Sequence, residues 1–286
     1  MSHHIAAEHS PASHHEHENP AALADLLERD AAVAGGYLDD ASAWIGTHFD
    51  SDPEQIVDLG AGTGVGTFAL AQRFPTASIL AVDASRTMLN HVTDGAAAAG
   101  LEQRVRTVEC DLNASWPDAA ADADLVWASS SLHELSDPDR VLRDAFAALR
   151  RGGVFVAVEM DVLPSFLPAE FPPEAPGLEQ RLHAELTALG WNAHHDWAST
   201  IAAAGCTSLE RRQFTTQATS PTVAPYAGAW LAKMRGALVD RLDAVDQTAL
   251  NALIDDDAEL ARIATTIRGS RTALLARRSA AADQQN

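Results

Sequence analysis

The sequence predicts an α/β fold, a parallel sheet covered by helices on both faces. From Gln55 onward, short apolar strands alternate with helical stretches, the rhythm of parallel strands joined by helical crossovers. The strands read as nearly continuous apolar runs, as strands buried on both faces do. In VDLGAGTGVGT, Gly60, Gly62, Gly64 and Gly66 stand at every second position directly after the first strand.

Each element has its own signal. Residues 1–19 hold six of the twelve histidines and little apolar content. They are predicted to be a disordered tail, with spacing too irregular to define a metal geometry. Pro20 suits the first position of a helix, on which Leu23, Leu26 and Leu27 share a face. Gly35-Gly36 interrupts it, a second helix carries Tyr37, Leu38, Trp44 and Ile45, and Asp52-Pro53 closes the region. Residues 20–52 are therefore expected to be a helical cover, and 53–286 the main domain. QIVDLG, SILAVDA, VRTVECDL, DADLVWASS and GGVFVAVEM are predicted strands. TFALAQRF, SRTMLNHVTDGAAAAG and PDRVLRDAFAALR are predicted helices. After Met160, DVLPSFLPAEFPPEAPG is expected to be an irregular loop with some helix nearby. WASTIAAAGC is then a helix closed by Gly205, with Asp196 as its N-cap, and SLERRQFTTQ a strand. Ala224 to about Ile267 is read as one long helical stretch, with the insertion at about 222–264, before the last strand, SRTALLARR.

Composition excludes several classes. The chain has 286 residues, 47% of them hydrophobic, enough for a sizeable core. A net charge of −20 with Lys233 as the single lysine disfavours nucleic acid. Two cysteines, Cys110 and Cys206, give no disulfide framework and fit a reducing cytoplasm. No apolar run is long enough to cross a bilayer, and no signal-peptide order is seen at the N-terminus. A small-molecule partner, no membrane and a cytoplasmic location are expected; a homodimer is compatible.

The glycines permit a tight turn and close approach of a ligand to the backbone. Asp83 ends the second strand, where an acidic side chain accepts hydrogen bonds from ribose hydroxyls. The absence of GK[ST] excludes a triphosphate loop. Asp58, inside the first strand, repels a pyrophosphate and suits an ammonium or sulfonium cation.

With these features the chain resembles the class I S-adenosylmethionine-dependent methyltransferases. VDLGAGTG, AVDAS, ECDLN, DLVWASSSLHEL and LRRGGVFVAVE resemble that family's motifs in order, over about residues 55 to 160. The resemblance implies a Rossmann-like, mostly parallel seven-stranded sheet ending in an antiparallel hairpin. It implies S-adenosyl-L-methionine as cofactor, with Asp58, Gly60, Ala61, Gly62 and Gly64 at its methionine part and Asp83 on the ribose. Ala84, Met88, Asp111 and Leu112 are expected near ribose and adenine, and Ser129 on the far side. Bland readings accompany these: a helix cap for Asp58 or Asp83, a turn for Asp111, core for Met88.

The reaction expected is methyl transfer to an oxygen or nitrogen of a small organic acceptor. His133 is the candidate base, though a packing role is the stronger reading. Tyr37, His133, Glu134, Glu159, Phe166, Tyr226 and Trp230 are the candidate substrate contacts, with Asp161 and His194-His195 behind them. No cluster has the spacing of a metal site. Two other classes compete: a non-catalytic binder of the same nucleoside, and a nicotinamide-dependent oxidoreductase. The latter's GxGxxG spacing fails at Val65, where a third glycine would fall. The [DN]PP[YF] form that presents a flipped base is also missing.

Overall fold

The computed structural model describes residues 20–191, 196–219 and 221–279. The predicted histidine-rich tail and His194-His195 lie outside them. The element order is α1 (Pro20–Ala34), α2 (Gly36–Gly46), β1 (Gln55–Leu59), α3 (Val65–Arg73), β2 (Ser78–Asp83), α4 (Arg86–Ala99), β3 (Val105–Glu109), β4 (Ala123–Ser129), α5 (Pro138–Ala148), β5 (Leu149–Met160), α6 (Leu178–Ala188), α7 (Trp197–Ala203), β6 (Cys206–Thr219), α8 (Val223–Leu238), α9 (Ala244–Asp255), α10 (Asp257–Ile263) and β7 (Thr266–Arg278).

The described strands form one seven-stranded sheet in the order β3-β2-β1-β4-β5-β7-β6. β1 to β5 pair in parallel, and β7 runs antiparallel to both β5 and β6. Alternation along the strands divides the core. Ile56, Ile79, Leu125 and Trp127 face one way, against Ile45 of α2, Leu70 of α3 and Val92 of α4. Val57, Leu59, Val82 and Val126 face the other, against Leu142 and Phe146 of α5 and Ile201 of α7.

A third apolar cluster is made by helices and loops. It joins Leu26 and Val33 of α1, Phe166, Leu178 and Leu182, and the inner faces of α8, α9 and α10. Its segments leave the sheet after β5 and β6 and return at the start of β7, so they gather at the carboxyl ends of the parallel strands. In open α/β sheets that edge is where ligands bind.

Several boundaries depart from expectation. The stretch read as one helical insertion is three helices, broken where Asp243 and Asp256 turn their side chains onto the first backbone N–H groups of α9 and α10. Thr266 and Ile267, read as its end, belong to β7. The proline-rich stretch 161–177 is irregular, as expected, and α6 follows it, its Glu179 accepting the buried N–H groups of Phe166 and Leu167 at 2.8 and 3.1 Å. No described helix is long and apolar enough to cross a membrane.

Candidate functional site

β1 delivers its last residues into a turn that only glycine accommodates easily. Gly60, Gly62 and Gly64 have φ of +66°, +55° and +91°, a region costly for residues with a Cβ. The turn is braced from β2. Ala61 N–H donates to the Val82 carbonyl at 3.0 Å. Gly62 N–H donates to one Asp83 oxygen at 2.9 Å, and Ser85 N–H to the other at 2.8 Å. Asp83 therefore holds the loop as well as facing it, and each oxygen keeps a further acceptor position. Gly64 begins α3 with no side-chain cap, which leaves first-turn N–H groups toward the cleft.

Asp58 lies beneath this turn, 2% exposed. Thr67 on α3 donates its hydroxyl to it at 2.6 Å. Burial pushes the carboxyl up from 3.8 to about 7, against the pull of the Thr67 hydrogen bond and with an added push from Asp83. Because this value lies above that of the unfolded chain, ionised Asp58 destabilises the fold. The loss begins as pH rises past the unfolded value and is complete above about 7.

A cleft is lined by Asp58, Gly60, Ala61, Gly62, Ser129 and Tyr37 among the expected residues, and by Leu27, Asp30 and Ala31 of α1. Its lining also includes Thr63 and Trp127, whose Oγ1 and Nε1 are buried without a hydrogen-bond partner. A Cβ on Gly60 would stand 2.5 Å from Ser131 Cβ, and one on Gly66 3.0 Å from Trp127 Nε1. Two orphaned polar atoms, a buried carboxyl and a glycine-rich backbone cradle fit a polar, cationic nucleoside.

Other expected cofactor residues do not line this cleft. A side chain on Gly64 would press on Phe68 and Val92. Ala84 is exposed. Met88 is buried, with its N–H capped by Ser85 Oγ. Asp111 folds back onto Asn113 N–H at 2.9 Å, a turn role. Leu112 is buried, and its carbonyl accepts from Arg140.

The end of β4 is held in an unusual conformation. Ser130 has φ +52°, a position costly for a residue with a side chain. Glu159, expected to touch substrate, is instead engaged inside the protein. One oxygen accepts Ser131 and Leu132 N–H at 3.1 and 2.9 Å, and the other meets His133 Nδ1 at 2.8 Å. The second ring nitrogen of His133 lies 3.3 Å from Glu134. Burial lowers the His133 pKa, but hydrogen bonds to Glu134 and Glu159 outweigh it and raise the imidazole to about 10. A ring bonded at both nitrogens and protonated at neutral pH offers no lone pair, so the geometry gives His133 a positioning place, not that of a free base. The value lies above 6.5, so the ion pairs stabilise fully below that pH and the contribution is lost as pH rises through about 10. Urea unfolding from pH 6 to 10 should show this decline, and Glu159→Gln should flatten it.

The expected aromatic contacts separate. Tyr37 reaches Ser129, hydroxyl to hydroxyl at 3.3 Å. Phe166 and Trp230 are instead core of the helical layer, 1% and 7% exposed. Phe166 packs edge-on against Tyr226 at 5.4 Å. Tyr226 is also buried, but donates its hydroxyl to Asp30 at 2.5 Å. Asp30, Thr67, Ser130 and Arg271 belong to the site's surroundings; Thr67 and Ser130 lie within VDLGAGTGVGT and DLVWASSSLHEL but carried no expected role there, and Asp30 and Arg271 carried no motif.

Comparison with known proteins bears on this geometry. Residues 56–153 match the family described as methyltransferase domain. That segment is similar to methyltransferase domains. Trans-aconitate 2-methyltransferase of Deinococcus radiodurans is 38% identical over 102 residues, 35% of either chain. Malonyl-[acyl-carrier protein] O-methyltransferase of Laribacter hongkongensis is 32% identical over 108 residues, 36% of either chain. The matched region thus spans about a third of the length of these curated relatives. YcgJ protein of Bacillus subtilis shares the fold, with a TM-score of 0.53, 14% identity and coverage of 84% of this chain and 98% of that one. The methyltransferase segment contains the glycine turn, Asp58, Asp83 and the end of β4.

Proposed function

We propose that the chain transfers the methyl group of S-adenosyl-L-methionine to an oxygen or nitrogen of a small organic acceptor. The observation that carries this is the buried Asp58 carboxyl under the glycine turn, inside the segment that matches the methyltransferase family. When bound, the cofactor supplies a methyl group on a positively charged sulfur, open to in-line displacement. Asp58 would meet the cofactor's ammonium end and Asp83 the ribose hydroxyls, while Gly60, Ala61 and Gly62 let the backbone approach. Ser129 and Tyr37 would line the far wall, toward the acceptor. Alignment of the acceptor and exclusion of water are then the main work of the protein. The helices of residues 20–52 and about 222–264 are assigned as the acceptor's cover. An oxygen acceptor is supported by the malonyl relative's name, which specifies O-methylation.

Calorimetry is the direct test. S-adenosylmethionine and S-adenosylhomocysteine should both bind, NAD should not, and an acceptor panel should yield S-adenosylhomocysteine. No affinity for either nucleoside ends the reading, while binding without turnover shifts it to a non-catalytic binder. A cation beside Asp58 favours its ionised form, so binding at pH 6 to 7 should release a proton, and affinity should rise with pH through about 7. Titrations in buffers of different ionisation enthalpy read that proton, and Asp58→Asn should abolish it.

A further inference from the structure

Arg271 on β7 is 6% exposed, and its Nε has no hydrogen-bond partner. Only Nη2 meets Asp30 of α1, reaching both carboxylate oxygens at 2.9 and 2.8 Å. The fork of Nε and Nη that reads a carboxylate in two parallel bonds is thus half used. The guanidinium lies 4.4 Å over the Tyr37 ring, and Asp30 and Tyr37 both line the cleft.

Helix α1 rests on the glycine turn. Leu27 Cδ1 is 3.2 Å from where a side chain on Gly62 would begin. A nucleoside seated on that turn displaces Leu27, and Asp30 lies one helical turn further along the same helix. Moving α1 strips a buried cation of its counter-charge, at the wall that Tyr37 and Ser129 share. A buried cation needs a replacement anion.

The geometry points to Arg271 as the recognition site for a carboxylate on the methyl acceptor, with Asp30 occupying that seat until cofactor and acceptor enter. This assignment rests on the methyltransferase reading above. It also suits a site where His133 is bonded at both ring nitrogens. A carboxylate is already ionised at neutral pH. Transfer to its oxygen forms a C–O bond as the C–S bond breaks and the electron pair stays on sulfur, with no proton to remove.

The test uses the full chain saturated with S-adenosylhomocysteine and titrated with malonate and succinate, and with malonamide and succinamide. The acids should bind and the amides should not. With S-adenosylhomocysteine kept saturating, Arg271→Gln should weaken the acids roughly tenfold or more. Asp30→Asn removes the resident competitor and should tighten them. The double variant Asp30→Asn/Arg271→Gln carries neither buried charge, which guards against misfolding, and should still reject the acids. Nucleoside binding with acids that fail to bind, or that ignore Arg271, overturns this assignment alone. Loss of nucleoside binding in the unaltered chain overturns the methyltransferase reading and this one with it.

Discussion

Gly60→Ala should lower stability by about 2–4 kcal/mol and end S-adenosylmethionine binding, the sum of a left-handed backbone penalty and a lost hydrogen bond. The added Cβ meets Ser131 Cβ at 2.5 Å and Oγ at 3.1 Å. Ser131 cannot yield freely, because its hydroxyl donates to the Leu59 carbonyl at 2.8 Å and its N–H to Glu159. Relief must come from moving the turn or the end of β4, and both border the cleft. Gly100→Ala is the matched control. Its φ of +69° is similar, but nothing lies within 4 Å of the new Cβ, so only the backbone penalty of about 1–2 kcal/mol remains. Urea unfolding of the pair separates the two contributions. Equal losses would show that the Gly60 contact does not matter.

Asp83→Ala should weaken S-adenosylmethionine by about 100-fold, because hydrogen bonds to a charged acceptor are individually strong and two roles are lost together. The carboxylate braces the turn through Gly62 N–H and the start of α4 through Ser85 N–H, and it faces the ribose in the proposed complex. The two roles come apart with a nucleoside lacking ribose hydroxyls. If Asp83 only braces the turn, the variant loses the same factor for S-adenosylmethionine and for its dideoxy analogue. If it also binds ribose, the analogue is weak against the unaltered chain and loses less in the variant. Calorimetry reads both, and unchanged affinity for S-adenosylmethionine would remove the ribose role.

The sheet was legible because its inner strands are buried on both faces, so Ile79–Val82 and Val154–Val158 read as apolar runs that no surface element needs. The turn was legible because its positive φ values demand glycine in a fixed place. The fate of the aromatics was not. Phe166 and Trp230 would have the same composition as pocket walls or as the core of the helical layer, and only packing decides between them. Glu159 shows a similar limit, since an acid at a strand's end looks the same whether it meets a ligand or gathers the N–H groups of the next loop. Arg271 and Asp30 stand 241 residues apart, and no local pattern marks a pair that only the tertiary fold creates. The breaks at Asp243 and Asp256 were within reach, as each opens a run with the side-chain cap that helices favour.

The last strand in chain order, β7, is wedged between β5 and β6. During synthesis the outer edge of β5 therefore stays unpaired, and β6 has no partner, until Thr266–Arg278 leaves the ribosome. β5 can dock on β4 early, but its other edge stays a template for foreign strands. Chains stalled before that point should be sticky, and holdase chaperones should find their clients among them.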